Sequence, residues 1–199
     1  MLRILVIDCH DSFVYNLVQL LREQTLAEFD ICSVDAVPLD KLHLYDALLL
    51  SPGPGTPDEL PLLMQAIAQC ERTHAMLGIC LGHQALTLHF SGSLRQIVHP
   101  RHGHLSQLKH TGDPIFHGLE QGTAVGRYHS WVTSEQALPE VLEIIATCTE
   151  ERTEIMAIRH KDLPIYGLQF HPESMITEEG WRYIHNFLTI AQAHQTKDC

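Results

Sequence analysis

The sequence predicts an α/β fold: a single domain with a mostly parallel central sheet flanked by helices, and a small antiparallel excursion. Three observations carry this. Short apolar runs at Leu2–Ile7, Ala47–Leu50 and Ala75–Leu77 suit strands buried on both faces. Stretches with apolar residues at helical spacing alternate with such runs, the signature of a parallel sheet covered by helices. The alternation stops near Ser93; from there to Ala146 the helical signal weakens and Gly, His and Pro become frequent.

Taken in order, Leu2–Ile7 is the first strand. Asp11 or Ser12 is placed to cap a helix whose apolar face is Phe13, Leu17, Leu20 and Leu21. Ile31–Val34 and Ala47–Leu50 read as further strands. Ser51-Pro52-Gly53-Pro54-Gly55-Thr56-Pro57 is neither helix nor ladder strand, because its prolines lack the N–H that both require. Glu59–Cys70 has helical periodicity. Ala75-Met76-Leu77 then runs into Gly78-Ile79-Cys80-Leu81-Gly82 and a helix reaching Phe90. After the excursion, Glu154–Arg159 and Ile165–Phe170 form two strands joined by a polar turn at Lys161-Asp162-Leu163-Pro164. A final helix begins near Thr177 and turns Trp181, Ile184 and Leu188 to the core. The domain is expected to span residues 1–193, with 194–199 a frayed tail.

The 199 residues suffice for one well-buried core. A formal charge of -11 excludes a nucleic-acid surface, which needs clustered Lys and Arg. No apolar stretch is long enough to span a bilayer, so no membrane partner is expected. The opening apolar run reaches Asp8 at once and reads as a strand, not a signal peptide; a cytoplasmic location is expected. The six cysteines form no CxxC pair, and in a reducing compartment they are expected to be free thiols.

Cys80 stands apart from the other five. A Gly-x-nucleophile-x-Gly turn between strand and helix is a nucleophile elbow, in which small residues permit a sharp reversal that lifts one side chain above the sheet. The helix N-terminus favours an anion, so a thiolate gains stability there. His171-Pro172-Glu173 supplies a base and a carboxylate to orient it. In extended chain, residues two apart point the same way, and the proline discourages helix. The imidazole can then take the Cys80 proton while Glu173 holds the other ring nitrogen. The loop at Gly53 and Gly55 follows a strand end, where open α/β sheets place ligands. Its N–H groups, with that of Leu81, would complete an oxyanion hole. His99, His102 and His104 could in principle bind zinc, but no Cys or carboxylate partners them nearby and no metal is expected.

Four motifs occur in the order of one known family. They are Ser51-Pro52-Gly53-Pro54-Gly55-Thr56-Pro57, Gly78-Ile79-Cys80-Leu81-Gly82-His83-Gln84, Arg127-Tyr128-His129-Ser130 and Gln169-Phe170-His171-Pro172-Glu173-Ser174. Over nearly its whole length the chain resembles the class I (triad) glutamine amidotransferases, most closely the glutaminase subunits of chorismate-using synthases. Asp8-x-x-Asp11-Ser12-Phe13 and Ile155-Met156-Ala157-Ile158-Arg159-His160 are similar to that branch as well.

The resemblance implies the flavodoxin-like fold of that family and a glutaminase mechanism. Cys80 attacks the glutamine side-chain amide, the oxyanion sits near Gly53 and Leu81, and His171 protonates the departing ammonia. A γ-glutamyl thioester remains for water to hydrolyse, with Glu173 orienting His171. Gln84, Ser130 and Trp131 would hold the amino-acid end of L-glutamine, with Gly55 lining the pocket. Ammonia would pass through a tunnel to a chorismate-binding large subunit. No cofactor is implied for this chain, whereas the partner is expected to need magnesium.

Four positions depart from the family pattern. Cys9 and His10 stand where Asn and Tyr are usual, Trp131 replaces a leucine, and His102-Gly103-His104 replaces His-Gly-Lys in a loop the family turns toward its partner. Anthranilate synthase is favoured as the commoner setting; the glutaminase component of aminodeoxychorismate synthase, or one shared by both, is the alternative. A free-standing γ-glutamyl cysteine hydrolase is disfavoured by Gln84, Ser130 and Glu173. An inactive scaffold is disfavoured by the intact Cys80, His171 and Glu173.

Overall fold

The computed structural model describes residues 1–149 and 154–195. β1 (Leu2–Asp8) sends alternate residues to opposite faces: Ile4 and Val6 join one apolar cluster, Leu5 and Ile7 another. It is flanked by β2 (Ala27–Ser33) and β3 (Ala47–Leu50), and β4 (Ala75–Ile79) follows. β3 and β4 are buried at every residue, which is why they read as unbroken apolar runs. The excursion supplies β5 (Leu94–Gln96), β6 (His104–His110), β7 (Ala124–Arg127), β8 (Trp131–Thr133) and β9 (Leu142–Cys148). β10 (Ile155–His160) and β11 (Ile165–Leu168) complete the strands among the described residues.

The order β2-β1-β3-β4-β11 is parallel throughout. From β11 the same sheet continues antiparallel through β10, β9, β6 and β7, while β5 and β8 pair as a separate small ribbon. The predicted fold class is therefore borne out. Helices α1 (Val14–Arg22) and α4 (Gly180–Gln195) cover one face, packing Leu17, Leu21, Ile184 and Phe187 against Ile4, Leu49 and Leu77. Helices α2 (Pro61–Cys70) and α3 (Leu81–His89) cover the other with Leu63, Ile67, Ala85 and Leu86. Each such leucine, isoleucine or phenylalanine contributes roughly 1.5–3 kcal/mol of burial.

Several boundaries differ from expectation. β2 begins at Ala27, not Ile31. As an edge strand paired only with β1 it is half exposed and carries Glu28 and Asp30, so only its end looks apolar. Neither Asp11 nor Ser12 caps α1. The Asp8 carboxylate takes the Asp11 N–H at 3.0 Å, His10 adopts a φ of 64°, and the helix starts only after Phe13. Phe13 is consequently 57% exposed, and Val14 and Val18 fill the inner face with Leu17 and Leu21. α4 starts at Gly180; its Trp181 is 39% exposed beneath the Arg182 guanidinium, so only Ile184 and Leu188 of the predicted stripe face the core. The helix carries through His194 and Gln195, and the rest of the expected tail lies outside the described residues.

Candidate active site

Cys80 occupies the turn between β4 and α3 with φ 50° and ψ -98°, a conformation costly for any residue with a side chain, of order 1–3 kcal/mol. The surroundings hold it there. Its N–H donates to the Leu168 carbonyl at 2.7 Å, and its carbonyl accepts the Gln84 N–H at 3.0 Å. The flanking glycines serve close approach: a Cβ on Gly78 would lie 2.4 Å from the Gly82 carbonyl, and one on Gly82 2.5 Å from the Leu50 oxygen. Leu81 is the first helical residue, so its N–H has no partner within the helix.

His171 follows β11 and is pinned to β7. Its N–H donates to the Gly126 carbonyl at 3.0 Å, and the Thr177 hydroxyl donates to the His171 carbonyl at 2.6 Å while accepting the Gly126 N–H at 2.9 Å. The ring is buried. Its Nδ1 sits 2.6 Å from Glu173 Oε1, while its Nε2 is buried without a hydrogen-bond partner among the described residues and is left for Cys80. Burial pushes the imidazole pKa down, but the Cys80 thiolate and the Glu173 carboxylate together outweigh it and hold the pKa well above the ordinary 6.5. The arrangement favours the protonated form of the His171 ring.

The Cys80 side chain opens on two cavities. One, of about 340 Å³, is lined by Gly53, Gly55, Gln84, Ser130 and Trp131, the residues predicted to hold substrate. Gln84 Nε2 donates to the Trp131 carbonyl at 3.0 Å and to Gln169 Oε1 at 3.3 Å, which leaves its own oxygen for a ligand. The other, of about 520 Å³, is lined by His171, Glu173, Asp11, Phe13 and His102 among others. Leu81 lines neither; its side chain packs behind Gly53, and only its backbone remains available.

Several site residues escaped prediction. Gln169 is fully buried and its Nε2 lies 3.7 Å from the Cys80 sulfur, linking nucleophile and Gln84. Tyr128 sets its ring edge-on to His171, centroids 5.1 Å apart, and shares a hydrogen bond with Ser174. Both lie in the quoted motifs, which were the available signal; Thr177 and Gly126 had none. Fully buried Arg127 is ion-paired with Glu154 and donates to His129 Nε2 and Ser106 Oγ. Among the described residues, no three His, Cys, Asp or Glu side chains gather to hold a metal ion, and no helix is long and apolar enough to cross a membrane.

The chain matches the family model "Glutamine amidotransferase class-I" over residues 5–191. The aminodeoxychorismate/anthranilate synthase component 2 of Bacillus subtilis is 40% identical over 187 residues, covering 93% of this chain and 95% of that one. The bifunctional protein TrpGD of Thermotoga maritima is 39% identical over 191 residues, taking in 94% of this chain and 32% of that longer protein. A GMP synthase subunit from Thermoplasma acidophilum, known from its crystal structure, superposes with a TM-score of 0.88 and 28% identity, covering 100% of this chain and 98% of that one.

Proposed function

Because the chain belongs to the class-I glutamine amidotransferase family, we propose that it is the glutamine-hydrolysing subunit of a chorismate-using synthase and supplies that synthase with ammonia. The observation that carries this is the position of Cys80, strained at an elbow beside the His171–Glu173 pair and open to both cavities. The smaller cavity takes glutamine, with Gln84, Ser130 and Trp131 around its amino-acid end and Gly53 and Gly55 beside its amide.

The Cys80 thiolate attacks the amide carbon, and the N–H groups of Gly53 and Leu81 receive the oxyanion. His171 gives its Nε2 proton to the amide nitrogen, the C–N bond breaks, and ammonia leaves. The γ-glutamyl thioester is then attacked by water, His171 takes the water proton, and cleavage of the C–S bond frees glutamate. Glu173 keeps the ring oriented and offsets its charge throughout. None of these steps asks for a metal or organic cofactor from this chain; magnesium would be held by the partner.

The partner is a chorismate-binding large subunit. Phe13, Ile176 and Met175, the last 98% exposed, give the larger cavity an apolar rim of the kind that another protein covers. Relatives are named for anthranilate synthase, for aminodeoxychorismate synthase, and in Bacillus subtilis for both. Anthranilate synthesis is the favoured assignment; the glutaminase component of aminodeoxychorismate synthase, or one shared by both, is the alternative. The reaction is assigned to the cytoplasm.

The test is product identification. The chain is mixed with each candidate large subunit from its own source, chorismate, magnesium and amide-labelled glutamine. Labelled anthranilate assigns tryptophan synthesis, labelled aminodeoxychorismate folate synthesis, and both a shared component. Cys80→Ala should abolish glutamine-dependent product and leave ammonia-dependent product; glutamine-dependent product from that variant would refute the nucleophile.

A further inference from the structure

Gln169 touches the reacting sulfur but belongs to no part of the Cys80, His171 and Glu173 triad. It follows β11, is fully buried, and is fixed in the backbone by its N–H on the Met156 carbonyl at 2.8 Å. Its side-chain Nε2 lies 3.7 Å from Cys80 Sγ, within reach of an N–H···S hydrogen bond, whereas His171 Nε2 has no such partner among the described residues. Which end of the Gln169 amide faces the sulfur is decided at Trp131. A backbone carbonyl can only accept, so the Gln84 atom 3.0 Å from the Trp131 oxygen is the nitrogen. The second N–H of that nitrogen points to Gln169 at 3.3 Å and requires an oxygen there, which turns the Gln169 nitrogen to the sulfur. Reversing either amide would set two acceptors or two donors against each other at buried positions, where an unmade hydrogen bond is costly.

We propose that Gln169 is a further catalytic residue: its side-chain amide donates an N–H to the Cys80 sulfur and stabilises the thiolate, in an orientation locked through Gln84 by the Trp131 carbonyl. A hydrogen bond to a charged acceptor is stronger than one to a neutral thiol, so the donor raises the share of Cys80 present as thiolate. Each thiolate becomes a weaker nucleophile, but more slowly than its population grows, and attack on the amide carbon gains. The donor acts again in deacylation. There the C–S bond breaks, its electron pair goes to sulfur, and the same N–H receives the returning thiolate. Because the orienting contacts run through Gln84, the residue assigned to the amino-acid end of glutamine, one chain of hydrogen bonds both places the substrate and aims the donor.

This inference rests on the glutaminase reading, and its test separates the two. The chain is alkylated with iodoacetamide across a range of pH, and the Cys80 peptide is followed by mass spectrometry. In Gln169→Met, which nearly keeps the volume but offers no N–H, the pH of half-maximal alkylation should rise by about one unit while the plateau at high pH is kept. Glutamate release at neutral pH should fall about tenfold in kcat/KM in the same variant. An unmoved alkylation profile overturns the proposal, and so does a rate lowered equally at every pH, which would mean that Gln169 only packs the site. The unmutated chain supplies a second reading should Gln169→Met not fold. The side-chain amide resonances of Gln169 should shift in the NMR spectrum over the pH range of the alkylation profile and lose that shift in Cys80→Ala. No shift in the unmutated chain, or the same shift in Cys80→Ala, overturns the proposal as well. If the unmutated chain releases no glutamate from glutamine, it is the glutaminase reading that fails, and the alkylation profile still judges the Gln169 donor.

Discussion

His171 Nδ1 stands 2.6 Å from Glu173 Oε1 across a single proline, and both side chains are buried. The contact is local in sequence but depends on distant support. β7 holds the His171 backbone, and Thr177 closes the loop behind it. The ring's high proton affinity depends on that carboxylate and on the Cys80 thiolate, against burial that works the other way.

Glu173→Gln should therefore lower the His171 pKa and slow glutamate release about a hundredfold or more. The histidine titration is followed by NMR and the rate by glutamate assay. A lost rate with an unchanged His171 titration would mean that Glu173 acts by packing alone.

Gly180 offers a remote test of the same segment. A Cβ there would lie 1.8 Å from the Pro172 carbonyl oxygen, a backbone atom that cannot swing aside. Gly180→Ala should shift Pro172, and His171 and Glu173 with it, and cut glutamate release at least about tenfold with the helical circular dichroism kept. Gly112→Ala is the control. Its φ of +84° makes alanine strained by about 1–2 kcal/mol, but nothing lies within 4 Å, so only stability should move. Equal activity in the two variants would sink the positioning argument.

Much of this site was legible because its motifs are local. Ala47–Leu50 was placed to the residue, since a strand buried on both faces has no polar interruption to blur its ends. The Cys80 elbow and the His171–Glu173 pair each lie within five residues and carry their chemistry in the residue types. What escaped is non-local. Phe13 and Trp181 have helical spacing, yet each lies at a helix start beyond the reach of the core, and spacing alone cannot say where a helix begins. The Gly126–His171 bridge, the Thr177 clasp and the Arg127–Glu154 pair join residues far apart in the chain, and nothing in one sequence pairs them.

Arg127 and Glu154 illustrate the last point energetically. The guanidinium is fully buried, so removing the Glu154 carboxylate takes a buried counter-charge away from it. Glu154→Gln should cost about 3–5 kcal/mol by urea unfolding, and Arg127→Met a similar amount. Arg127→Met with Glu154→Leu should be more stable than either single change, since the paired guanidinium and carboxylate are then removed together. Additive losses in the double variant would show that the pair's hydrogen bonds to Ser106 and His129, not its charges, set the cost.

Acid should destabilise the protein through two other histidines. Burial pushes the His83 pKa down to about 4; burial, then the charges of Arg127, His171 and His83, push His129 down to about 2. In the unfolded chain both titrate near 6.5, so below that pH the unfolded state binds more protons and stability falls as pH falls. Each contributes about 1.4 kcal/mol per pH unit, hence about 3 kcal/mol apiece by pH 4, a large part of the stability of an ordinary domain. His171 has the opposite sign: its raised pKa gives stability that is complete below 6.5 and lost as pH rises through the folded value, so it adds no slope on the acid side. Asp11 and Asp113, raised mainly by burial, oppose the loss only in the carboxylate range. From these two histidines, unfolding free energies measured between pH 5.5 and 4.5 should thus rise with pH by up to about 2.7 kcal/mol per unit. In His83→Gln, which keeps a polar group for Thr133, that slope should fall by about half. A slope unchanged by His83→Gln would show that His83 takes up its proton in the folded state, contrary to its burial.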